Sequence, residues 1–547
     1  MLQLPQSTVE TSSMEKPIVL GLLTVFTLYF TTNFFIQTLG IARPRMAAEL
    51  DGMALYAWLI SIPSLAAAFV TLLFSKFSDI YGRRFMLLIC MVLFLVGTIW
   101  SAVAPTFVIL IAANTLARLG NGALLPLLYS VLGDMFAPVQ RSRWVGLLHV
   151  PQGFIALCGP TLGGWFVDNL SWRHIYWMGV PLVVLGLIMV PIGVPPLATK
   201  SVRRIKIDVR GTILVAAASS ATILGFSFAG TTYPWASVQV IGLLGAGLLF
   251  WVLFFKAEEH ADEPIMDPQV FRNRTFLTVA VSGMLSFIGL MAVMMYYPIF
   301  LQGVQGMTVM RSGQILTPLN VLMAFMGVPT GFILARTKRY KWMYIMGYGL
   351  LTAVMFGIVF FNSGTPVYMS VLAVVLAGFG LGTIPTINTL VAQWAVPKRL
   401  LGASMGAIFF SITMGMAIAP AVLGPVMNAA YARKLEAALP SRLHQFADKA
   451  TMTALGDPKA LLSPAAMKAL ETTFGEAGSS GRELFRQTVE AIRASMEAGL
   501  RAVFLLGAVT MLISFVLILT VPEVSMDAVV EDRALQIKVS KESGQEA

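Results

Sequence analysis

The chain has 547 residues, 57% of them hydrophobic and only 12% charged, with a formal net charge of +11 and a mean hydropathy of +0.78. A charged share roughly half that of globular domains excludes a soluble fold. The only cysteines, Cys90 and Cys158, stand in different apolar runs and point to neither a disulfide framework nor a metal site.

In chain order, apolar runs of about 20 residues recur, each long enough to cross a hydrocarbon core of about 30 Å. They fall near 17–42, 54–77, 84–104, 106–134, 143–167, 172–195, 211–230, 236–256, 275–302, 312–335, 342–362, 366–394, 402–427 and 498–521. The first run has no small-residue cleavage signature and is too long for a signal-peptide core, so it reads as a span. With the N-terminus inside, the inner short loops carry nineteen Lys and Arg residues, among them Lys76, Arg83, Arg84, Arg141, Arg143, Arg336 and Lys338. The outer loops carry only Arg43, Arg45, Arg173 and Arg311. Positive charge on the inside predicts both termini in the cytoplasm, and it accounts for the +11 balance without a nucleic-acid partner.

A basic linker, 196–210, follows the sixth run, and two further runs come before a second set of six begins near 275. The expected organisation is a six-helix bundle at 1–195, a linker with two extra helices at 196–274, a second six-helix bundle at 275–521, and a tail at 522–547. Between the last two runs, 428–497 reads as an extracytoplasmic insertion. Leu484, Val489 and Ile492 recur there at helical spacing among charges, which predicts short amphipathic helices.

The two sets of six repeat one another. Ser75 falls opposite Gly331 and the Asp79–Arg84 hinge opposite Ala335–Arg339, at an offset of 256 residues. Gly120-Asn121-Gly122 is answered by Gly380-Leu381-Gly382, and Pro160 through Gly164 by Pro420 through Gly424, at an offset of 260. A duplicated set of membrane helices is how transporters build two lobes around a midplane site.

Particular residues carry chemistry. Asp79, Gly82, Arg83 and Arg84 form a tight charged turn between two runs, and Asp134 ends the fourth run on the same side, so these groups predict an ion-pair cluster latching the inner face. Arg118 stands about twelve residues into its run, roughly 18 Å along a helix and near mid-membrane. A charge at that depth faces a water-filled cavity or a partner. It reads either as a cavity residue governing proton release or attracting anions, or as a structural Arg bonded to Asn114 or Asn121. His149 is a titratable group in the fifth run, read alternatively as packed structure. Gly159 and Gly163 permit close helix approach, with Pro160 removing a backbone donor between them, for packing or for gating. Asn33, Gln37, Gln152, Gln302 and Asn320 are candidate ligand-orienting groups in the substrate cavity.

Asp79-x-x-Gly82-Arg83-Arg84, Arg118-x-x-Asn121-Gly122 and Gly153 through Gly159-Pro160-x-x-Gly163-Gly164 together resemble the motifs of the major facilitator superfamily. The chain is most similar to its fourteen-span drug:proton antiporter branch, of the EmrB/QacA multidrug-efflux kind. That resemblance implies an all-α membrane protein with two six-helix bundles and two added helices. It also implies proton antiport by alternating access, with Arg118, Asn121 and His149 in coupling or the cavity, and Gly153, Gly159, Pro160, Gly163 and Gly164 as the antiporter motif. The family's usual Gly at the motif start is Ser75 here, which predicts looser helix packing. Where many relatives carry an acid in the first span this chain has Asn33 to Gln37, which shifts the expected cargo toward lipophilic neutral or anionic compounds. The expected partners are lipophilic small molecules, protons, the bilayer and a periplasmic adaptor or lipid-carrier protein. The expected location is the bacterial inner membrane. No cofactor or metal is expected. An exporter of an endogenous lipid or metabolite is the alternative. A membrane-embedded enzyme is disfavoured because the four histidines lie on separate segments.

Overall fold

The computed structural model describes residues 11–52, 55–195, 208–229, 233–261, 264, 266–440 and 478–523. The linker arginines Arg203 and Arg204, the middle of the 428–497 insertion and the tail beyond 523 lie outside the described residues. All long elements are helices. Helix 1 is Thr11–Glu49, helix 2 Tyr56–Tyr81 and helix 3 Arg83–Ala102. Helix 4 is Phe107–Asn121 then Leu124–Met135, helix 5 Pro138–Leu147 then His149–Asn169, and helix 6 Arg173–Gly193. Helices 7 and 8 are Val209–Phe228 and Val238–Glu258. Helix 9 starts as Arg274–Met291 and continues through wider turns to Val304, and helix 10 is Val309–Phe325 then Gly327–Thr337. Helices 11 to 14 are Lys341–Val359, Val367–Trp394, Leu401–Ala438 and Gly478–Leu519. Thirteen are long and apolar enough to cross a membrane, and the pair in helix 10, bent by 41°, makes fourteen when taken as one broken span.

Proline chemistry explains where these helices break. Helices 4, 5 and 10 are interrupted at Gly122, Leu148 and Met326, and Pro126, Pro151 and Pro329 follow within four residues. A proline has no N–H for the carbonyl four residues back, so the ladder opens there. The freed Gly122 carbonyl is not wasted: the Thr71 hydroxyl of helix 2 donates to it at 2.9 Å. The two wider-turn segments of helix 9, Ala292–Tyr296 and Phe300–Val304, flank Pro298 for the same reason.

The repeat seen in the sequence is a repeat of contacts. Helix 1 packs on helices 5 and 6, helix 4 on 2 and 3, and helix 3 on 6. Helix 9 packs in the same way on 13 and 14, helix 12 on 10 and 11, and helix 11 on 14. The matched glycines do matched work. Gly120 lies on helix 3 at Cys90 and Phe94, and Gly380 lies on helix 11 at Gly347 and Leu351. Gly122 lies on Ala67 of helix 2, and Gly382 on Leu322 and Met326 of helix 10. Even the hinges agree: Gly82 has φ +91° and Lys338, at the 256-residue offset, has φ +56°. Gly82 has open space where a side chain would go, so it is the backbone angle that requires glycine.

The two halves meet along two seams near this hinge face, helix 2 against 13 and helix 5 against 10. Ser75 does not loosen the first seam. It is fully buried, and the helix opposite presents Gly402 and Gly406; a methyl group on Gly406 would lie 2.7 Å from the Ser75 Cβ. In the second seam the assignment is exchanged, with Gly331 against Ser142 and Gly146. Each of these two contacts therefore joins one serine and two glycines. Helices 7 and 8 pack on each other, and helix 7 also lies on helices 2 and 13 beside the first seam.

The edges of the insertion differ from the short separate helices expected. Helices 13 and 14 simply run on, with 38 and 42 residues. At 1.5 Å per residue these are about 57 and 63 Å long, against a hydrocarbon core of about 30 Å. The amphipathic spacing is their contact stripe: Leu484, Thr488, Ile492 and Met496 are buried on helix 14, and Met427, Tyr431 and Leu435 on helix 13.

The second seam leaves no room for a side chain at Gly146, where an added methyl would sit 2.7 Å from the Gly327 carbonyl oxygen and 3.1 Å from the Gly331 Cα. Backbone cannot step aside, so Gly146→Ala is expected to cost about 1–3 kcal/mol of overpacking. A lower unfolding midpoint of the purified protein, followed by tryptophan fluorescence, checks this.

Candidate functional site

At the hinge face the charged groups converge on one buried knot. Arg83 at the start of helix 3 donates from Nε to Asp134 Oδ2 at 2.9 Å, pairs through Nη2 with Asp79 Oδ1 at 2.5 Å, and donates from Nη1 to Ser78 Oγ at 2.5 Å. Asp79 also reaches across the seam. Its two oxygens accept the backbone N–H groups of Gly402 at 3.0 Å and Ala403 at 2.9 Å. Those donors belong to the first turn of helix 13, where no carbonyl of the helix itself can satisfy them. The carboxylate thus caps a helix of the other half, where the helix dipole favours negative charge. Arg84 is half-buried at the turn and takes part in none of these bonds.

A second cross-seam bond lies beside the first. Arg141, fully buried at the start of helix 5, donates from Nη1 to Gln393 Oε1 of helix 12 at 3.0 Å and from Nη2 to the carbonyls of Gly133 and Phe136. Deeper in, the rings of Tyr129 and Phe409 meet across the seam with centroids 5.4 Å apart. Gln152 joins this cluster by accepting from the Tyr29 hydroxyl at 2.9 Å. His149 also lies in the seam rather than beside Arg118: it is buried against Gly327, with Nε2 2.8 Å from Thr386 Oγ1. Gly153 faces the Phe325 ring of helix 10.

On the far side of this seal, helices 1, 2, 3, 4 and 6 enclose a pocket of about 50 Å³. Arg118 and Asn121 line it, as the sequence suggested, together with Arg43, Thr98, Asn114 and Tyr176. The Tyr176 hydroxyl donates to Asn114 Oδ1 at 3.0 Å, so Asn114 is engaged elsewhere and does not hold Arg118. Asn33, Gln37, Gln152, Gln302 and Asn320 do not line this pocket. Asn33 turns back to the Tyr29 carbonyl of its own helix at 2.8 Å. Gln302 bonds Ser312 at 3.5 Å, Gln37 packs beneath Gly159, and Asn320 is exposed on helix 10. Gly159 and Gly163 seat helix 5 on Gln37 and Thr38 of helix 1, within one half. Pro160 lies between them in the same helix, and Gly164 has open space beside it.

Sequence reading missed the backbone donors of Gly402 and Ala403, because amide groups carry no residue signature. It took Arg141 and Arg43 only as markers of topology. The offset of 260 offered a signal, since it places Gly402 opposite Ser142 and Gly406 opposite Gly146.

This arrangement of two repeated helix sets, a sealed face and a pocket behind it is that of a transporter. The chain belongs to the Major Facilitator Superfamily, whose family model matches residues 25–420. It is 26% identical over 485 residues to the multidrug transporter protein MdtP of Bacillus subtilis (strain 168), covering 86% of each chain. It is 27% identical to multidrug resistance protein 3 of the same organism, covering 81% of this chain and 85% of that one. In fold it is similar to the proton:xylose symporter XylE, with a TM-score of 0.55 at 13% identity over 95% of this chain and 98% of that one. It is a multi-pass membrane transporter, not an enzyme.

Replacing Asp79 by Asn leaves Arg83 with one carboxylate fewer and sets an NH₂ donor against one of the two helix-13 amides that the carboxylate accepted from. Breaking one partner of a buried pair costs about 3–5 kcal/mol. In a Cys90→Ala, Cys158→Ala background, a cysteine at buried Ser404 is expected to react with a maleimide at least about tenfold faster when Asp79→Asn is added. Arg84→Gln is expected to leave the rate unchanged.

Proposed function

We propose that this transporter is a secondary active exporter of lipophilic compounds that uses the proton gradient and alternating access. The observation that carries the reading is the Asp79 carboxylate bonded to helix 13 of the opposite half. With the hinge face in the cytoplasm, as the loop charges suggest, this contact closes the inner side while the Arg118 pocket lies beyond it. Export then needs the knot of Asp79, Arg83 and Asp134 to release so that the seams part and cargo enters from within. A network of charge-assisted bonds across two rigid bodies is a bistable element of the kind such cycles use. The names of the two Bacillus relatives support multidrug export.

In this reading the working bodies are residues 1–195 and 275–521, with helices 7 and 8 attached between them, in a bacterial cytoplasmic membrane with both termini inside. Arg118 and Asn121 serve proton coupling or cargo contact. His149, Gln152 and Gly153 act at the seam, and Gly159 to Gly164 hold helix 5 on helix 1. The runner-up is export of an endogenous lipid or metabolite, with the 428–497 insertion docking a periplasmic adaptor or lipid carrier. It is favoured by the length of helices 13 and 14, which carry the insertion well past a bilayer's thickness.

Reconstitution in liposomes under an imposed pH difference tests the proposal. The native chain is expected to move a lipophilic dye outward only when the gradient is present, and Arg118→Ala to abolish that dependence. Gradient-independent equilibration, or full coupling in Arg118→Ala, overturns the coupling assignment. Replacing 441–477 by a short Gly/Ser linker is expected to spare dye efflux. Loss of lipid movement alone in that variant favours the runner-up.

A further inference from the structure

The pocket around Arg118 contains a charge imbalance that the exporter reading does not use. Arg43 of helix 1 and Arg118 of helix 4 both line it, and no Asp or Glu does. Neither guanidinium forms an ion pair among the described residues. Two cations sharing one small, partly desolvated space repel each other, and the energy falls when an anion joins them.

Two further groups point to a ligand. Thr98 and Asn121 are buried residues of the lining, and among the described residues Thr98 Oγ1 and Asn121 Oδ1 have no hydrogen-bond partner. Several hydroxyls of these helices bond the carbonyl one turn back, as Thr115 does to Ile111 and Ser101 to Gly97, while Thr32 and Ser75, away from the pocket, do not. Thr98 leaves that bond unmade. A buried polar group without a partner is costly, and its presence beside two cations marks a place where a polar ligand or ordered water completes the shell. The Asn121 amide offers either its oxygen or its NH₂ there, since the two ends are interchangeable by a flip.

Size and lining narrow the ligand. A volume of about 50 Å³ is far below the few hundred Å³ of a drug-sized site, so it takes a headgroup and not a whole molecule. Its lining also includes the apolar Phe35, Leu39, Leu59 and Phe94. We propose that Arg43 and Arg118 form a headgroup site for amphiphilic organic anions: a compact carboxylate held between the guanidiniums, Thr98 and Asn121, with its hydrocarbon body against the apolar part of the lining. Arg43 is the specificity residue in this assignment, because it supplies the second charge. The inference deepens the exporter reading by naming its cargo class, and it rests on that reading only for the direction of transport.

Equilibrium binding tests it without requiring transport. The full chain, in an uncharged detergent, is titrated with dodecanoate, with naphthalene-2-carboxylate, with dodecyltrimethylammonium and with dodecanol, and the unfolding midpoint is followed by tryptophan fluorescence. A ligand that binds only the folded state raises the midpoint in a saturable way. Dodecanoate is expected to do so; dodecyltrimethylammonium and dodecanol are not. Comparable affinity for naphthalene-2-carboxylate identifies xenobiotic acids as cargo, and preference for dodecanoate identifies a lipid-derived acid. Arg43→Gln is expected to weaken carboxylate binding by about tenfold or more, as loss of a charge-assisted hydrogen bond does, and Arg43→Lys to retain part of it. Should Arg43→Gln elute as aggregate, Ser64→Asp places a neutralising carboxylate at the pocket rim and is expected to have the same effect.

Equal binding of dodecyltrimethylammonium, or unchanged dodecanoate affinity in Arg43→Gln or Ser64→Asp, overturns the site. Loss of the site with gradient-driven dye efflux intact leaves the exporter reading standing. Binding intact with no gradient-driven efflux removes the exporter reading and leaves the site.

Discussion

Everything at the hinge face depends on how one buried carboxylate is satisfied. Asp79 takes one bond from Arg83 in its own half and two from the first turn of helix 13 in the other. Removed from water, it is tolerable only while all of these are made. The closed face is therefore conditional: separating the halves exposes Asp79 and the helix-13 amides together, and both must find water. Asp134 and Ser78 hold Arg83 in place for this role. Coulomb attraction is strongest where the site is driest, yet the desolvation cost is greatest there too, so the two oppose one another in setting how firmly the face is held.

The duplicated architecture also sets how the two halves meet at that face. Two seams, related by offsets of 256 and 260 residues, are lined by small residues in exchanged order: Ser75 against Gly402 and Gly406, Gly331 against Ser142 and Gly146. Backbones approach closely there, and in the second seam a ring from each half seats on a glycine of the other, His149 on Gly327 and Phe325 on Gly153. A few polar bonds also cross between the halves, those of Asp79, Arg141 and His149.

Much of this was legible before any coordinates. Fourteen apolar runs are visible because a bilayer forces long uncharged helices, and their limits agree with the observed helices within a few residues over most of the chain. The Asp79–Arg84 turn was legible because Gly82 and a cluster of charges leave few conformations. What stayed hidden has physical causes. Backbone amides at the start of helix 13 look like any other residues. Arg43 reads as a loop cation until helix 1 is seen to continue to Glu49, carrying it alongside helices 2 and 4. Asn33 looked like a ligand contact, but an Asn inside a helix has its own carbonyl one turn back to bond, and here it takes it. Amphipathic spacing at 484–492 was real, yet it records the partnership of two long helices and not a separate surface element.

Helices 7 and 8 make the two seams unequal in a way the duplication alone would not. They lie beside the seam of helices 2 and 13, with Trp58 meeting Phe228 and Trp251 meeting Phe410. Beside the other seam, helices 5 and 10 turn Phe154, Leu157, Phe332 and Ile333 outward, exposed. Seen from the membrane, one seam is therefore shuttered by two further helices and the other is bare, so the two flanks of the protein offer lipid unlike surfaces.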